Sequence, residues 1–407
     1  MSGMKRKFSP PPLVADGRKR KKSGRRGGDI IDDLPLLLTD KPVPHLLVTE
    51  VIYTPLSRNH NPSNSKFPCV AFNRRGSIVS LPLDGSVVVS NNKPHPASTA
   101  AINPRGRLAD LYRRCLSFIG ATSHGHLAFA GSNAVFLVNP VTDTLQCIDT
   151  VGYSHKAVLA NGGRHGCNLF VSLGALLSPP TLWRLDKDGD RWSKYTVTVT
   201  AGEHTGGDVV SAVNCGNNGC FYLLHEDGCV SKVDAVEPPP LRMEKLPVAS
   251  LAGHFSPAFN KTASLAGEGH LVESSHGEVL FVRKLLAVRE IVEPFCAHTE
   301  FADVVDFEVY RLDVTKLRWE KVERLAGGEA IFVSPESAFT VTETAAAGCK
   351  GNCVYFVGEK RCCFACRVYG GSTWGAYSMD DRRVLFEHAV ASKGGRSEAL
   401  WFLPSVV

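Results

Sequence analysis

Two stretches of this chain share one ungapped frame 127 positions apart: RLDKDGDRWSK (184–194) and RLDVTKLRWEK (311–321). Taken alone, the wider stretch YRLDVTKLRWEKVERL (310–325) reads as an exposed helix, because Leu, Lys, Arg and Glu are good helix formers. Its twin carries Asp188-Gly189 at the centre, a hairpin-turn dipeptide that is poor inside a helix. The common frame therefore predicts a hairpin in both places, with strands over 307–313 and 318–325 in the second. Val309, Leu312, Trp319, Val322 and Leu325 are then expected to face a neighbouring sheet. Lys316, Arg318 and Lys321 are left as edge or solvent charge. On this reading the stretch reports the fold rather than the contact surface.

Weaker echoes extend the frame. LVNPVTDTLQC (137–147) keeps it with Asn139 for the Asp and Leu145 for the Trp, and KVDAVEPPPLRMEK (232–245) keeps its ends around a loop three residues longer. A strand beginning near a glycine precedes each echo, in GHLAFA, GCFYLL, GHLVES and GNCVYFV. The unit is several antiparallel strands over roughly 40–60 residues, the size of a propeller blade. Such a blade cannot bury both of its faces alone, whereas blades stacked radially cover one another.

The rest of the chain from residue 67 has the same texture. Short β-rich runs recur at 77–83, 86–90, 126–130, 134–139, 168–173, 195–200, 220–224, 270–274, 278–286, 330–334 and 353–358, with Asp84-Gly85, Asp188-Gly189, Asp227-Gly228 and Gly370-Gly371 as turn signals between them. Only RLADLYRRCL (107–116) suggests a helical piece. The 37 Gly and 24 Pro suit many turns between short elements. The expected fold is all-β: one β-propeller over 67–403, of six blades with about four antiparallel strands each.

The charge is concentrated at the start of the chain. Residues 1–28 hold ten Lys or Arg and a single acid, Asp16, so they carry +9; the whole chain is +6, which leaves −3 for the remaining 379 residues. A mildly acidic body argues against a broad or specific nucleic-acid surface. The tail has little to bury and repels itself, so it is expected to be disordered. Its two basic clusters, Lys5-Arg6-Lys7 and Arg18-Lys19-Arg20-Lys21-Lys22, have the spacing of a bipartite nuclear import signal. Such a signal lays its cations into two acidic pockets of an importin. A merely solvated tail and a non-specific nucleic-acid arm are the alternatives. The expected location is the nucleus, with the cytoplasm also open. Residues 29–66 are expected to be a linker and irregular segment, since Pro42 and Pro44 stop any helix soon after it starts.

Thirteen cysteines without a regular framework, and no secretory signal at the N-terminus, point to free thiols in a reducing interior. Residues 115–142 lack Asp, Glu, Lys and Arg, but His124, His126, Asn133 and Asn139 make a lipid-facing span costly. Strands and no membrane span are expected there.

The wording of several segments carries a family resemblance. TSHGHL (122–127), LVNPVTDT (137–144), KAVL (156–159), HLVESSHGEVLFVRK (270–284), FEVYRLDVTKLRWEKVERLAGGEAIFVS (307–334) and GNCVYFVGE (351–359) resemble the plant group that carries the domain of unknown function 295, the KIB-type β-propellers. The resemblance covers about residues 67–403. It implies a propeller that often follows an F-box, where the propeller selects protein substrates for a cullin-type ubiquitin ligase; some relatives bind and restrain kinases. DDLPLLL (32–38) begins a little like an F-box, but Pro42 and Pro44 leave no room for its further helices. The family motif supplies no catalytic residues.

No constellation of residues rises to a catalytic site, and no cofactor or metal is expected. Cys349, Cys353, Cys362, Cys363 and Cys366 are the best candidates for zinc, but their intervals are looser than those of structural zinc motifs, and small buried thiols account for them better. His124 and His126 lack further ligands and read as turn-stabilising. GSTWG (371–375) has Thr where a nucleophile elbow has Ser and reads as a loop; GGRHG (162–166) lacks the lysine of a phosphate loop. Asp303, Asp306 and Glu308 read as a solvated face. The expected function is a non-enzymatic protein-interaction module, with loops 160–167, 200–208 and 287–303 as contact regions. A ubiquitin-ligase receptor with a diverged F-box is the alternative. From a different class comes an enzyme with its site in the propeller channel.

Overall fold

The structure, a computed structural model, describes residues 69–72, 78–79, 83–84, 87–90, 93–96, 117–121, 125–131, 134–139, 142–149, 156–161, 168–172, 181–185, 192–199, 208–215, 219–234, 240–251, 265–293, 296–335, 337–342, 348–359, 372–389 and 399–402. The basic tail, the 29–66 segment and the helical piece expected at 107–116 lie outside these residues.

Strands β1 (Cys69–Phe72) and β2 (Ile78–Val79) open the described chain, followed by a small hairpin of β3 (Val87–Ser90) and β4 (Lys93–Pro96). The first blade is β5 (Ser117–Ala121), β6 (Leu127–Ala130), β7 (Ala134–Asn139) and β8 (Thr144–Asp149). The second is β9 (Lys156–Asn161), β10 (Asn168–Ser172), β11 (Thr181–Leu185) and β12 (Trp192–Val199). The third is β13 (Val209–Cys215), β14 (Cys220–His225), β15 (Val230–Asp234) and β16 (Leu241–Lys245). The fourth is β17 (Leu265–Glu273), β18 (Val279–Glu293), β19 (Cys296–Asp313) and β20 (Arg318–Lys321). The fifth contains β21 (Ala330–Ser334), β22 (Ser337–Val341), β23 (Cys353–Glu359), β24 (Ser372–Ser378) and β25 (Arg383–Ala389), in the order β22-β21-β23-β24-β25. Finally β26 (Ala399–Phe402) pairs antiparallel with β1, so the two ends of the described chain share a sheet.

The strands β5, β9, β13, β17, β22 and β26 touch one another in cyclic order, and β26 returns to β5. The described sheets therefore form a six-bladed ring, with these strands innermost. The second and third blades are also joined edge to edge: β9 runs parallel to β13 (Ala160 opposite Ala212), and β12 parallel to β16 (Val197 opposite Leu241). All eleven runs read as strands in the sequence contain a strand. GSTWG does not form the expected loop. Ser372 begins β24, and Trp374 is buried against Phe386 and His388, so the ring of that tryptophan makes the segment a core strand.

The core shows why a blade needs neighbours. Side chains alternate across a strand with period two, and both faces here are covered. In β14, Phe221 and Leu223 pack toward the second blade while Tyr222 and Leu224 join Val279 and Phe281 of the fourth. In β18, Leu280 and Val282 turn the other way, toward Val354 and Phe356 of the fifth. Phe332, Tyr355 and Trp374 then continue on the far face to Trp401. Strands buried on both faces read as near-continuous apolar runs, as AIFVS and CVYFV do.

Two kinds of turn hold the blades. Between β14 and β15, and between β17 and β18, His225 and Ser274 each donate a backbone N–H across a tight loop, to the carbonyls of Cys229 and Glu278, with Gly228 and Gly277 at positive φ. This is the three-residue hairpin with a left-handed glycine. Between third and fourth strands, a side-chain oxygen caps the turn. Asp313 accepts from the N–H of Lys316 at 2.9 Å, Leu317 has φ 52°, and Arg318 pairs back to Asp313. The predicted echo at Asn139 repeats each step, with Thr142, Asp143 at 56° and Thr144. Leu312–Trp319, Leu185–Trp192, Val138–Leu145 and Val233–Met243 are cross-strand partners in the four predicted copies. The structure adds a further copy: the Ser378 hydroxyl accepts from the N–H of Asp381, Arg382 has φ 51°, and Ser378 pairs with Arg383.

The hairpin expected at 307–325 is present, with Val309, Leu312 and Leu325 buried, Val322 and Trp319 partly so, and Lys316, Arg318 and Lys321 exposed. Its second strand stops at Lys321, four residues early. The carboxylates read as a solvated face are instead engaged. Asp306 accepts from the Tyr377 hydroxyl, from Arg382 at 2.9 Å and from its neighbour's N–H, while Glu308 pairs with Arg283 at 3.2 Å. The first of these ties the fourth blade to the fifth. The side chain of Asp303 lies outside the described residues.

Candidate docking groove between the third and fourth blades

Where the third and fourth blades diverge they leave a groove of 720 Å³. One wall comes from the third blade: Cys215 and Cys220 face each other across the β13–β14 hairpin, Tyr222 follows two residues on, Lys232 stands opposite Tyr222, and Glu244 stands opposite Lys232. Leu246 closes that side. The other wall is Gly277, Glu278 and Val279 at the start of β18, with Arg311, Leu312, Asp313, Val314 and Leu317 at the end of β19 and its turn.

The turn at the mouth is held by one carboxylate. Asp313 accepts from the N–H groups of Thr315 (3.0 Å) and Lys316 (2.9 Å), from the Thr315 hydroxyl (2.6 Å) and from the Lys316 ammonium (2.7 Å). Lys316 first and Thr315 next hold its carboxyl far below the usual carboxylate range. Fixing the turn leaves Val314 and Leu317 standing out at 49% and 38% exposure; with Val305 they are the exposed large hydrophobics among the described residues. Beside them Arg311 is clamped between Glu278 (3.2 Å) and Glu320 (2.9 Å), and Arg318 also binds Glu320 (2.7 Å). Arg318 and then Arg311 hold Glu320 down at about 2. The charged rim is thus largely satisfied within the protein, whereas the apolar tips are not.

The floor is protonated at neutral pH. Burial, followed by Cys220 and Cys215, pushes the Tyr222 hydroxyl up to about 12. Burial also raises Cys215, with Glu273 adding to it, and raises Cys220 against the opposing pull of Lys232. A thiol or phenol in that state is a poor nucleophile. The groove offers an apolar floor, two apolar tips and fixed charges.

The residues singled out in the sequence fall elsewhere. Lys5, Arg6, Lys7, Arg18, Lys19, Arg20, Lys21 and Lys22 lie outside the described residues, as do His124, Cys362, Cys363, Cys366 and GGRHG. His126 is buried just before β6. Cys349 and Cys353 are buried reduced thiols, pushed by burial up to about 12 and about 11. Among the described residues no group of three or more His, Cys, Asp or Glu could hold a metal ion. Of the expected contact loops, 160–167 and 200–208 are described only at Ala160, Asn161 and Asp208. The third is a correction: 287–303 is no loop but the far part of a long β18–β19 hairpin, paired from Val288–Phe301 out to Glu293–Cys296. Its β-branched residues pair across the hairpin and outweigh the turn signal of Pro294.

Residues 97–378 match the family model described as the KIB1-4 beta-propeller, more than half of the chain. Among solved structures, the chain is similar to the Cps50 (Swd1) β-propeller domain of Myceliophteria thermophila, at 12% identity and TM-score 0.33 over 81% of this chain and 88% of that one. It is similar to apo AztD from Citrobacter koseri, at 12% identity and TM-score 0.32 over 83% and 90%. It is also similar to the dihydro-heme d1 dehydrogenase NirN, at 12% identity and TM-score 0.30 over 85% and 77%. No curated protein matches the sequence. No helix among the described residues is long and apolar enough to cross a membrane.

Proposed function

Because this chain belongs to the KIB1-4 β-propeller family, we propose that it is a non-enzymatic protein-docking module that takes an apolar segment of its partner into the groove between the third and fourth blades. The observation that carries this reading is the exposure of Val314 and Leu317 at the mouth of a 720 Å³ groove whose Glu278, Arg311 and Asp313 are already paired. Apolar side chains held out by a rigid turn lose water when a partner covers them, which is the usual source of docking energy. The protonated thiols and phenol of the floor suit contact rather than catalysis.

The test is affinity capture from nuclear extract with the wild-type chain and the double variant Val314→Glu/Leu317→Glu. Both positions are exposed, so folding stability is expected to stay within about 0.5 kcal/mol. Burying two carboxylates against an apolar partner is costly, so the main captured protein is expected to fall at least tenfold. Undiminished capture by a folded variant overturns the proposal.

The basic tail is the nuclear address in this reading, its two clusters read by an importin. Residues 1–28 fused to a fluorescent reporter are expected to send it to the nucleus, and alanines at 18–22 are expected to return it to the cytoplasm. A reporter that stays cytoplasmic, or one indifferent to the alanines, removes the address.

A further inference from the structure

The groove holds two cysteines placed to bond to each other. Cys215 ends β13 and Cys220 begins β14, and the register sets them directly opposite each other. Opposed residues of antiparallel strands have Cα atoms about 4.5 or 5.5 Å apart, depending on the pair type, and either value lies within the range of a disulfide. Both side chains project from the same face: each lines the groove, and each packs in the cluster that contains Tyr222, Leu246 and Val279. The connecting loop is Gly216-Asn217-Asn218-Gly219, with Gly219 at φ 65°. Cys215 is buried and Cys220 is half-exposed, so a reagent in the groove meets Cys220 first.

We propose that Cys215 and Cys220 form a reversible dithiol–disulfide pair in the groove wall, oxidised by exchange with a small-molecule disulfide. Burial keeps the Cys220 thiol mostly protonated, so exchange is slow; the minor fraction that loses its proton to solvent attacks one sulfur of the small disulfide, breaking its S–S bond and releasing one thiolate. The Cys215 thiolate then attacks the Cys220 sulfur of that mixed disulfide and releases the second. Two protein thiols and one small disulfide become one protein disulfide and two small thiols, which carry away the two protons. Opposed Cβ atoms on paired strands are about 4.5–5.5 Å apart, more than the roughly 3.8 Å a disulfide prefers, so closing the bond draws the strand ends together. A bond formed under strain is readily reduced, which suits a switch rather than a staple. That closure reshapes the groove for a partner is a consequence that rests on the docking reading; the bond itself does not.

The test uses the full-length chain and no partner. The protein is equilibrated with mixtures of oxidised and reduced glutathione at pH 8, quenched in acid, alkylated and cleaved before aspartate. Fragment 208–226 then contains Cys215 and Cys220 and no other cysteine. In the more oxidised mixtures this fragment is expected to carry no alkyl group and to be two hydrogens lighter than the dithiol, and dithiothreitol is expected to restore both alkylation sites. The Cys220→Ser variant is expected to keep Cys215 fully alkylated. Two alkylated cysteines at every ratio, or a glutathione adduct on Cys220 beside an alkylated Cys215, overturns the bond. Glutathione on Cys215 in the Cys220→Ser variant overturns Cys220 as the point of entry.

Discussion

Replacing Trp401 by alanine is expected to cost about 4 kcal/mol of folding stability, within the usual range for emptying a large aromatic site. Trp401 is fully buried on β26, the innermost strand of the sheet that joins the two ends of the described chain. Its ring meets Phe332 edge-on, with centroids 5.2 Å apart, in the cluster shared with Tyr355 and Trp374 of the fifth blade. The cavity therefore opens where the ring of blades closes. Trp401→Phe is expected to recover most of the loss. It keeps the aromatic contact and removes an indole N–H that has no hydrogen-bond partner among the described residues. Urea unfolding reads both differences; a loss below about 1 kcal/mol for the alanine variant would place β26 outside the core.

Gly375→Ala is expected to be nearly as severe, at about 3 kcal/mol, through overpacking rather than a cavity. A Cβ on Gly375 would stand 2.4 Å from the carbonyl oxygen of Phe386 and 2.6 Å from the Phe356 ring. The ring can be trimmed, but the carbonyl belongs to the paired strand β25 and cannot withdraw without breaking the ladder. Phe356→Leu in the same chain is therefore expected not to rescue Gly375→Ala. Rescue would show that the ring alone was the obstacle, and that β24 and β25 are looser than described.

Most of the fold was legible because its turns are written in side chains. Asp313, Asn139 and Asp234 mark the ends of third strands, and pairing one copy of the frame with its Asp-Gly twin converts a helix-like stretch into a hairpin. The copy at Ser378 escaped notice because serine caps the turn with a hydroxyl, and a bulge between Ala376 and Tyr377 shifts the alternation beside it. The expected loop at 287–303 is instead a continuation of β18 and β19, because cross-strand pairing prolongs both strands beyond the apolar run at 278–286.

The groove was less legible for a physical reason. Its walls come from 215–246 and 277–317, and the gap between two blades is a property of how they diverge, which no periodicity records. One signal was present in the frame itself. Where the twin carries Lys187 and Asp190 in its turn, the second copy carries Val314 and Leu317. Charged turn residues replaced by apolar ones in an otherwise shared frame mark a turn that does something besides turning.

The docking claim is tested most directly by a photoreactive side chain placed at Leu317 and, separately, at Thr142, an exposed residue of the equivalent turn in the first blade. After illumination in nuclear extract, crosslinked partner is expected from position 317 and not from position 142. Equal crosslinking at both turns, or crosslinking at 142 alone, would contradict the assignment of the groove between the third and fourth blades as the contact surface.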